Sequence, residues 1–228
     1  MSDLKNQAVV VTGGTGGLGR AVVAALVDRG ADCFVPMRES DLPHDLAAMG
    51  ERVHAIGSID LTRDDDVRRF YAQLPSLRGS VHLAGGFAMK PARETSADEL
   101  EQMLRLNLVS AFCCCREAAS RMPKGGAIVN VGARPAVQPV AGMAAYVASK
   151  AGLVALTQAL ASEWRDDDIR VNAILPSIID TPANRQAMPD ADHESWPKPE
   201  QIAETISFLV SDQSRLTSGA LVPVYGRA

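Results

Sequence analysis

Short apolar runs alternate with segments of helical periodicity along almost the whole chain, and few folds accept that pattern. Residues 8–11, 33–37, 53–56, 80–83, 127–131, 170–175 and 219–224 read as strands. Between them, residues 20–28, 64–73, 97–122, 144–164 and 201–210 read as helices. Most of these strands are apolar at successive positions rather than at every second one, which marks a sheet covered on both faces. Strands joined through helices run parallel, so the expected architecture is α/β, a Rossmann-type doubly wound parallel sheet. With 46% hydrophobic residues in 228, the chain can fill one core and has little left for a second. A single domain over residues 1–228 is expected. The rhythm breaks at residues 181–199, which carry four prolines together with Met188 and Trp196 and read as a loop.

Charge and motif content narrow the function classes. The net charge is −4 and no dense Lys/Arg run occurs, so neither nucleic acid nor an anionic membrane is an expected partner. A small molecule is. The first six residues are polar, with no charged-then-apolar leader, and no uninterrupted apolar run reaches the roughly 18 residues of a membrane span. A cytoplasmic protein is expected. The four cysteines are Cys33 and the consecutive Cys113, Cys114 and Cys115, a spacing that suits neither disulfides nor zinc, so they read as packing residues and no metal is expected.

Between the first strand and its helix the chain reads Thr12-Gly13-Gly14-Thr15-Gly16-Gly17-Leu18-Gly19. Glycines there let the backbone approach a pyrophosphate, whose charge the amide groups and positive end of the helix can hold. The second strand ends in Met37-Arg38-Glu39. A guanidinium at that tip neutralises a ribose 2′-phosphate, whereas an acid accepts from a free 2′-hydroxyl. Arg38 therefore favours NADP(H), with NAD(H) the alternative that Glu39 keeps open. Asp60 and Leu61 follow the third strand and can hold an adenine. Ala84, Gly85 and Gly86 end the fourth and let the backbone lie against the same ligand.

Tyr146 and Lys150 stand four residues apart on an expected helix, and so on one face of it. A phenol titrates near 10 in water, too high for ready proton exchange at neutral pH, and an adjacent ammonium should lower it. This pair is the expected proton-transfer centre.

Taken in order, Thr12-Gly13-x-x-x-Gly17-x-Gly19, Asp60, Ala84-Gly85, Asn107, Tyr146-x-x-x-Lys150 and Pro176 to Thr181 resemble the short-chain dehydrogenase/reductase family over nearly the entire chain. The resemblance implies an NAD(P)-dependent oxidoreductase with Tyr146, Lys150 and Asn107 as catalytic residues. Asn107 would hold a water in a proton relay to Lys150, or else serve as a buried amide bridging helix and strand. Lys150 would also bind the nicotinamide ribose, and Pro176, Ile178 and Thr181 would line the nicotinamide end.

Two positions depart from that family. Its catalytic serine falls about thirteen residues before the tyrosine, where this chain has Ala133, and no serine or threonine lies between Ser120 and Ser149. Ser177 replaces the glycine usual after the proline. Gly132-Ala133, Gly142-Met143 and the stretch from Asp180 to Trp196 resemble the dihydropteridine reductase branch, which implies a conjugated ring substrate such as a quinonoid dihydropteridine. Such a ring needs a proton donor but no separate oxyanion donor. Phe87, Ala133, Met143 and Trp196 are the expected substrate contacts, with residues 182–196 as a lid. A carbonyl reductase or alcohol dehydrogenase, and a cofactor-sensing module without chemistry, are the alternatives. Apolar faces on residues 100–119 and 147–160 predict a homodimer or homotetramer.

Overall fold

A computed structural model describes residues 3–40, 43–123 and 125–227. Seven parallel strands form one sheet: β1 Ala8–Thr12, β2 Asp32–Pro36, β3 Val53–Ile56, β4 Leu77–His82, β5 Gly126–Val131, β6 Ile169–Pro176 and β7 Leu221–Val224. Their order is β3-β2-β1-β4-β5-β6-β7. The chain thus starts at the middle and winds outward in both directions. The order reverses between β1 and β4, the position at which sheets of this kind bind ligands at the carboxyl ends of their strands.

Helices cover both faces, as the apolar strands require. Against one face, α1 (Gly17–Asp28) and α8 (Pro199–Val210) bury Val22, Val23, Leu26, Ile202, Ile206 and Leu209 together with Cys33 and Val35. On the other, α3 (Asp64–Ala72), α5 (Ser110–Ala119) and α6 (Ala144–Glu163) bury Val67, Phe70, Tyr71, Cys113, Cys114, Cys115 and Leu160. All four cysteines are free and buried, as packing residues should be. Burial pushes the Cys33 and Cys115 thiols up to about 12, so neither is a nucleophile at neutral pH. Helix α6 has the length and composition to cross a membrane. In this fold Leu153, Thr157 and Leu160 are spent on covering the sheet.

The structure corrects several boundaries. Helix α1 begins at Gly17, three residues before the expected start, so the last glycines of the turn lie inside its first turn. A short helix, α2 (His44–Ala47), lies between β2 and β3, where no helix was expected. The expected helix over 97–122 is three pieces: α4 (Ala97–Leu104), a π-helical turn (Arg105–Val109) and α5. Periodicity cannot show a π turn, because one inserted residue shifts the register without changing composition. Residues 181–199 are not one open loop. They hold α7 (Pro182–Ala187), whose first turn Thr181 caps by accepting the Asn184 N–H, and a 3-10 turn (His193–Ser195).

Candidate active site

At Gly13 and Gly19 the turn packs so tightly that a side chain would not fit. Gly13 has φ 68°, and a Cβ on it would stand 2.8 Å from the Ala84 nitrogen. A Cβ on Gly19 would overlap the Gly13 carbonyl oxygen. Gly16 caps α1 without any side-chain hydrogen bond, so the first amides of a twelve-residue helix face outward with no local acceptor from their cap. A dinucleotide pyrophosphate fits such a cradle. Thr15 is half-buried beside it, and Leu18 points inward to the core. Thr181, from beyond β6, closes on the same turn: its Cγ2 would be 3.0 Å from a Cβ on Gly17. Thr12 Oγ1 accepts the Ala84 N–H at 3.3 Å, which joins the glycine turn to the end of β4.

At the β2 tip, Arg38 Nη2 donates to Asp60 Oδ1 at 3.1 Å, so the two residues expected at the adenosine end are a pair. The same Oδ1 accepts from Thr62 N–H at 2.9 Å and Thr62 Oγ1 at 2.7 Å. These bonds and Arg38 hold the Asp60 carboxyl below its usual value against the opposing effect of burial. Leu61 packs into the core beside it.

Around Gly85 the reacting groups converge. A Cβ there would fall on Asn107 Oδ1 and stand 3.5 Å from Lys150 Nζ. Asn107 sits in the π turn, which rotates its amide inward. It accepts the Gly86 N–H at 2.8 Å and donates through Nδ2 to Gly86 O and to Ser149 Oγ, each at 3.0 Å. It therefore bridges the loop after β4 to α6. Ser149 Oγ in turn donates to Tyr146 O at 2.7 Å. Lys150, 6% exposed, donates to Val131 O at 2.7 Å.

One expectation fails here. Burial pushes the Tyr146 phenol up to about 12 instead of the lysine drawing it down. Burial also lowers Lys150 to about 8. The ammonium is aimed at the β5 carbonyl, and desolvation outweighs any field it exerts on the phenol.

Phe87 meets the Tyr146 ring edge-on, with centroids 5.0 Å apart and planes at 76°, and its other side is exposed. Met143 is the half-buried residue before α6. Ala133 lies two residues beyond Val131, the strand end that receives Lys150, and is 6% exposed. Trp196 is buried, with its ring 4.6 Å from that of His193, an anchor for the 182–196 segment. Pro176 is buried at the end of β6, with Ile178 exposed just beyond it.

Sequence reasoning missed the support beneath the site. His82, wholly buried at the end of β4, has Nε2 2.8 Å from Ser80 Oγ and Nδ1 2.9 Å from Asn130 Oδ1. Burial lowers it to about 4, so it stays neutral. Asn130 also donates to Thr157 Oγ1 of α6 at 3.0 Å. This chain ties β4, β5 and α6 together one residue before the carbonyl that holds Lys150. Its signal was three polar residues inside otherwise apolar strands.

The family model described as short chain dehydrogenase matches residues 7–192, and the chain belongs to that family. It is 30% identical to a 3beta-hydroxysteroid dehydrogenase of Mediterraneibacter gnavus, over 97% of this chain and 94% of that protein. It is 29% identical to a 2,5-dichloro-2,5-cyclohexadiene-1,4-diol dehydrogenase of Sphingobium indicum, over 99% and 98%. A solved short chain dehydrogenase/reductase family protein superposes with TM-score 0.92 at 27% identity, covering 98% of this chain and 97% of its own. The chain is an NAD(P)-dependent oxidoreductase acting on a small molecule.

Proposed function

We propose that this oxidoreductase reduces an electron-poor conjugated ring, of which a quinonoid dihydropterin is the leading example, and prefers NADPH to NADH. Ala133 carries the proposal. A methyl stands at the position where a hydroxyl would hold a ketone oxygen, and an alanine donates nothing to a developing oxyanion. A conjugated ring spreads its charge and needs only a proton.

The cradle at Gly13, Thr15, Gly16, Gly17 and Gly19 would hold the pyrophosphate, Arg38 the 2′-phosphate, and Asp60 and Leu61 the adenine. Ala84, Gly85 and Gly86 would lie along the dinucleotide, with Lys150, Pro176, Ile178 and Thr181 at its nicotinamide end. The bound nicotinamide supplies hydride. Tyr146 supplies the proton: burial keeps its phenol protonated at neutral pH. Lys150 would hold the nicotinamide ribose, and Asn107 would order the path by which the proton returns from solvent. Phe87, held edge-on to Tyr146, and Met143 offer faces for a flat ligand.

Oxidation of NADPH and NADH, followed by nicotinamide absorbance with the dihydropterin beside a panel of ketones, aldehydes and quinones, tests this. Pterin turnover that drops by about 10² to 10⁴ in Tyr146→Phe is the expected result. Turnover of ketones alone would overturn the ring proposal. It would favour the second reading, an alcohol dehydrogenase or carbonyl reductase, which the names of the relatives support.

Leu100, Val109 and Phe112 are 37%, 39% and 42% exposed, apolar surface that a second copy of the chain would cover. Light scattering should report a homodimer or homotetramer.

A further inference from the structure

Ser177 departs from the family pattern, and the proposed chemistry makes no use of it. In the structure its Oγ donates 2.7 Å to the carbonyl oxygen of Tyr225, 48 residues later. Three consecutive residues just beyond β7 continue from that bond. The Tyr225 ring lies under the Arg134 guanidinium, 5.0 Å to the centroid, in the turn that follows Ala133. Gly226 has φ 65°, and a Cβ on it would stand 2.7 Å from Ser195 O and 2.9 Å from the Pro197 nitrogen. Arg227 N–H donates to Ser195 O at 2.9 Å, and its Nη2 donates to Glu194 O at 3.2 Å.

These contacts reach both stretches that leave the carboxyl ends of β5 and β6: the turn at 132–138, and the residues after Pro176 together with the far end of the 182–197 segment that continues from them. The segment's other ties run within itself or to the residues that lead into it. Asp180 N–H donates to Pro197 O at 3.0 Å, Arg185 pairs with Asp180, and Trp196 packs on His193. Only one glycine-sized gap lets the backbone beyond β7 lie against Ser195 and Pro197, so the approach is specific rather than incidental.

We propose that Tyr225, Gly226 and Arg227 form a strap that holds the 182–197 segment against the turn after Ala133, with Ser177 as its fastening. Ser177, Tyr225 and Gly226 are then positioning residues for substrate binding. The proposal rests on the reading that residues 182–196 cover the substrate.

Two readouts test it, one of them independent of turnover. In Gly226→Val the added side chain should push the strap off Ser195, and Ser177→Gly should remove the fastening while restoring the residue usual in the family. Limited trypsin digestion, scored by the fragment ending at the exposed Arg185, should accelerate several-fold in both variants and stay unchanged in Tyr225→Phe, which keeps its ring over Arg134. KM for whichever substrate the wild type turns over should rise about tenfold in Gly226→Val and less in Ser177→Gly. kcat, cofactor Kd and far-ultraviolet circular dichroism should stay near wild type. Unchanged cleavage in a folded Ser177→Gly or Gly226→Val protein would overturn the strap. Faster cleavage with unchanged KM would overturn its role in substrate positioning. Should the wild type prove inactive on every substrate of the panel, the digestion alone decides whether the strap exists.

Discussion

Removing the buried charge at Lys150 has a consequence whose size follows from burial. The side chain is 6% exposed, and desolvation takes its pKa from 10.5 to about 8 in the folded protein. In the unfolded chain it regains the ordinary value. Below about pH 8 both states hold the proton and the native state carries the full cost of a buried ammonium. Between about 8 and 10.5 the unfolded chain still binds a proton that the native protein has lost, so stability rises with pH. At about 1.4 kcal/mol for each pH unit, that interval is worth about 3 kcal/mol. Lys150→Met keeps an apolar stem and removes the titration. The unfolding free energy of the variant minus that of the wild type should therefore fall by about 3 kcal/mol from pH 7 to pH 10.5. Losing the bond to Val131 O adds only a constant. Urea unfolding of the cofactor-free protein at several pH values across that range measures the difference directly. A difference that does not vary with pH would refute the argument that burial sets the state of this lysine.

Three substitutions probe the rest of the site. Gly19→Ala places a methyl on the Gly13 carbonyl oxygen and forces the turn open, so cofactor Kd, read by quenching of protein fluorescence, should rise at least about tenfold. Ala133→Ser supplies the missing donor and should raise ketone turnover by about 10² to 10³ if the geometry for an oxyanion is otherwise intact. Unchanged ketone rates would show that the pocket, and not the donor, excludes them. Arg38→Leu removes the guanidinium paired with Asp60 and should cut the ratio of kcat/KM for NADPH over NADH by about tenfold, as the loss of one charge-assisted bond implies. An unmoved ratio would assign cofactor choice to another residue.

Much of this was legible in the chain itself, for reasons that differ between residues. Apolar runs at residues 8–11 and 127–131 could only be strands covered on both faces, and their alternation with helices left one economical way to cover them. The glycines at 13 and 19 announced a turn that nothing larger fits, and the interval between Tyr146 and Lys150 placed both on one face of a helix.

Tertiary structure alone decided what depends on groups distant in sequence. Asn107 became a bridge because a π turn aimed its amide at Gly86 and Ser149, and a π turn leaves no mark in periodicity. The Tyr146 phenol moved up where a sequence neighbour's charge was expected to draw it down, because burial is a property of the packed fold. His82 gained its place beneath the site from Asn130 and Thr157, on two other elements, and Ser177 found the end of the chain 48 residues away. Local pattern specifies what a segment can form, while desolvation and long-range hydrogen bonds exist only once the segments have met.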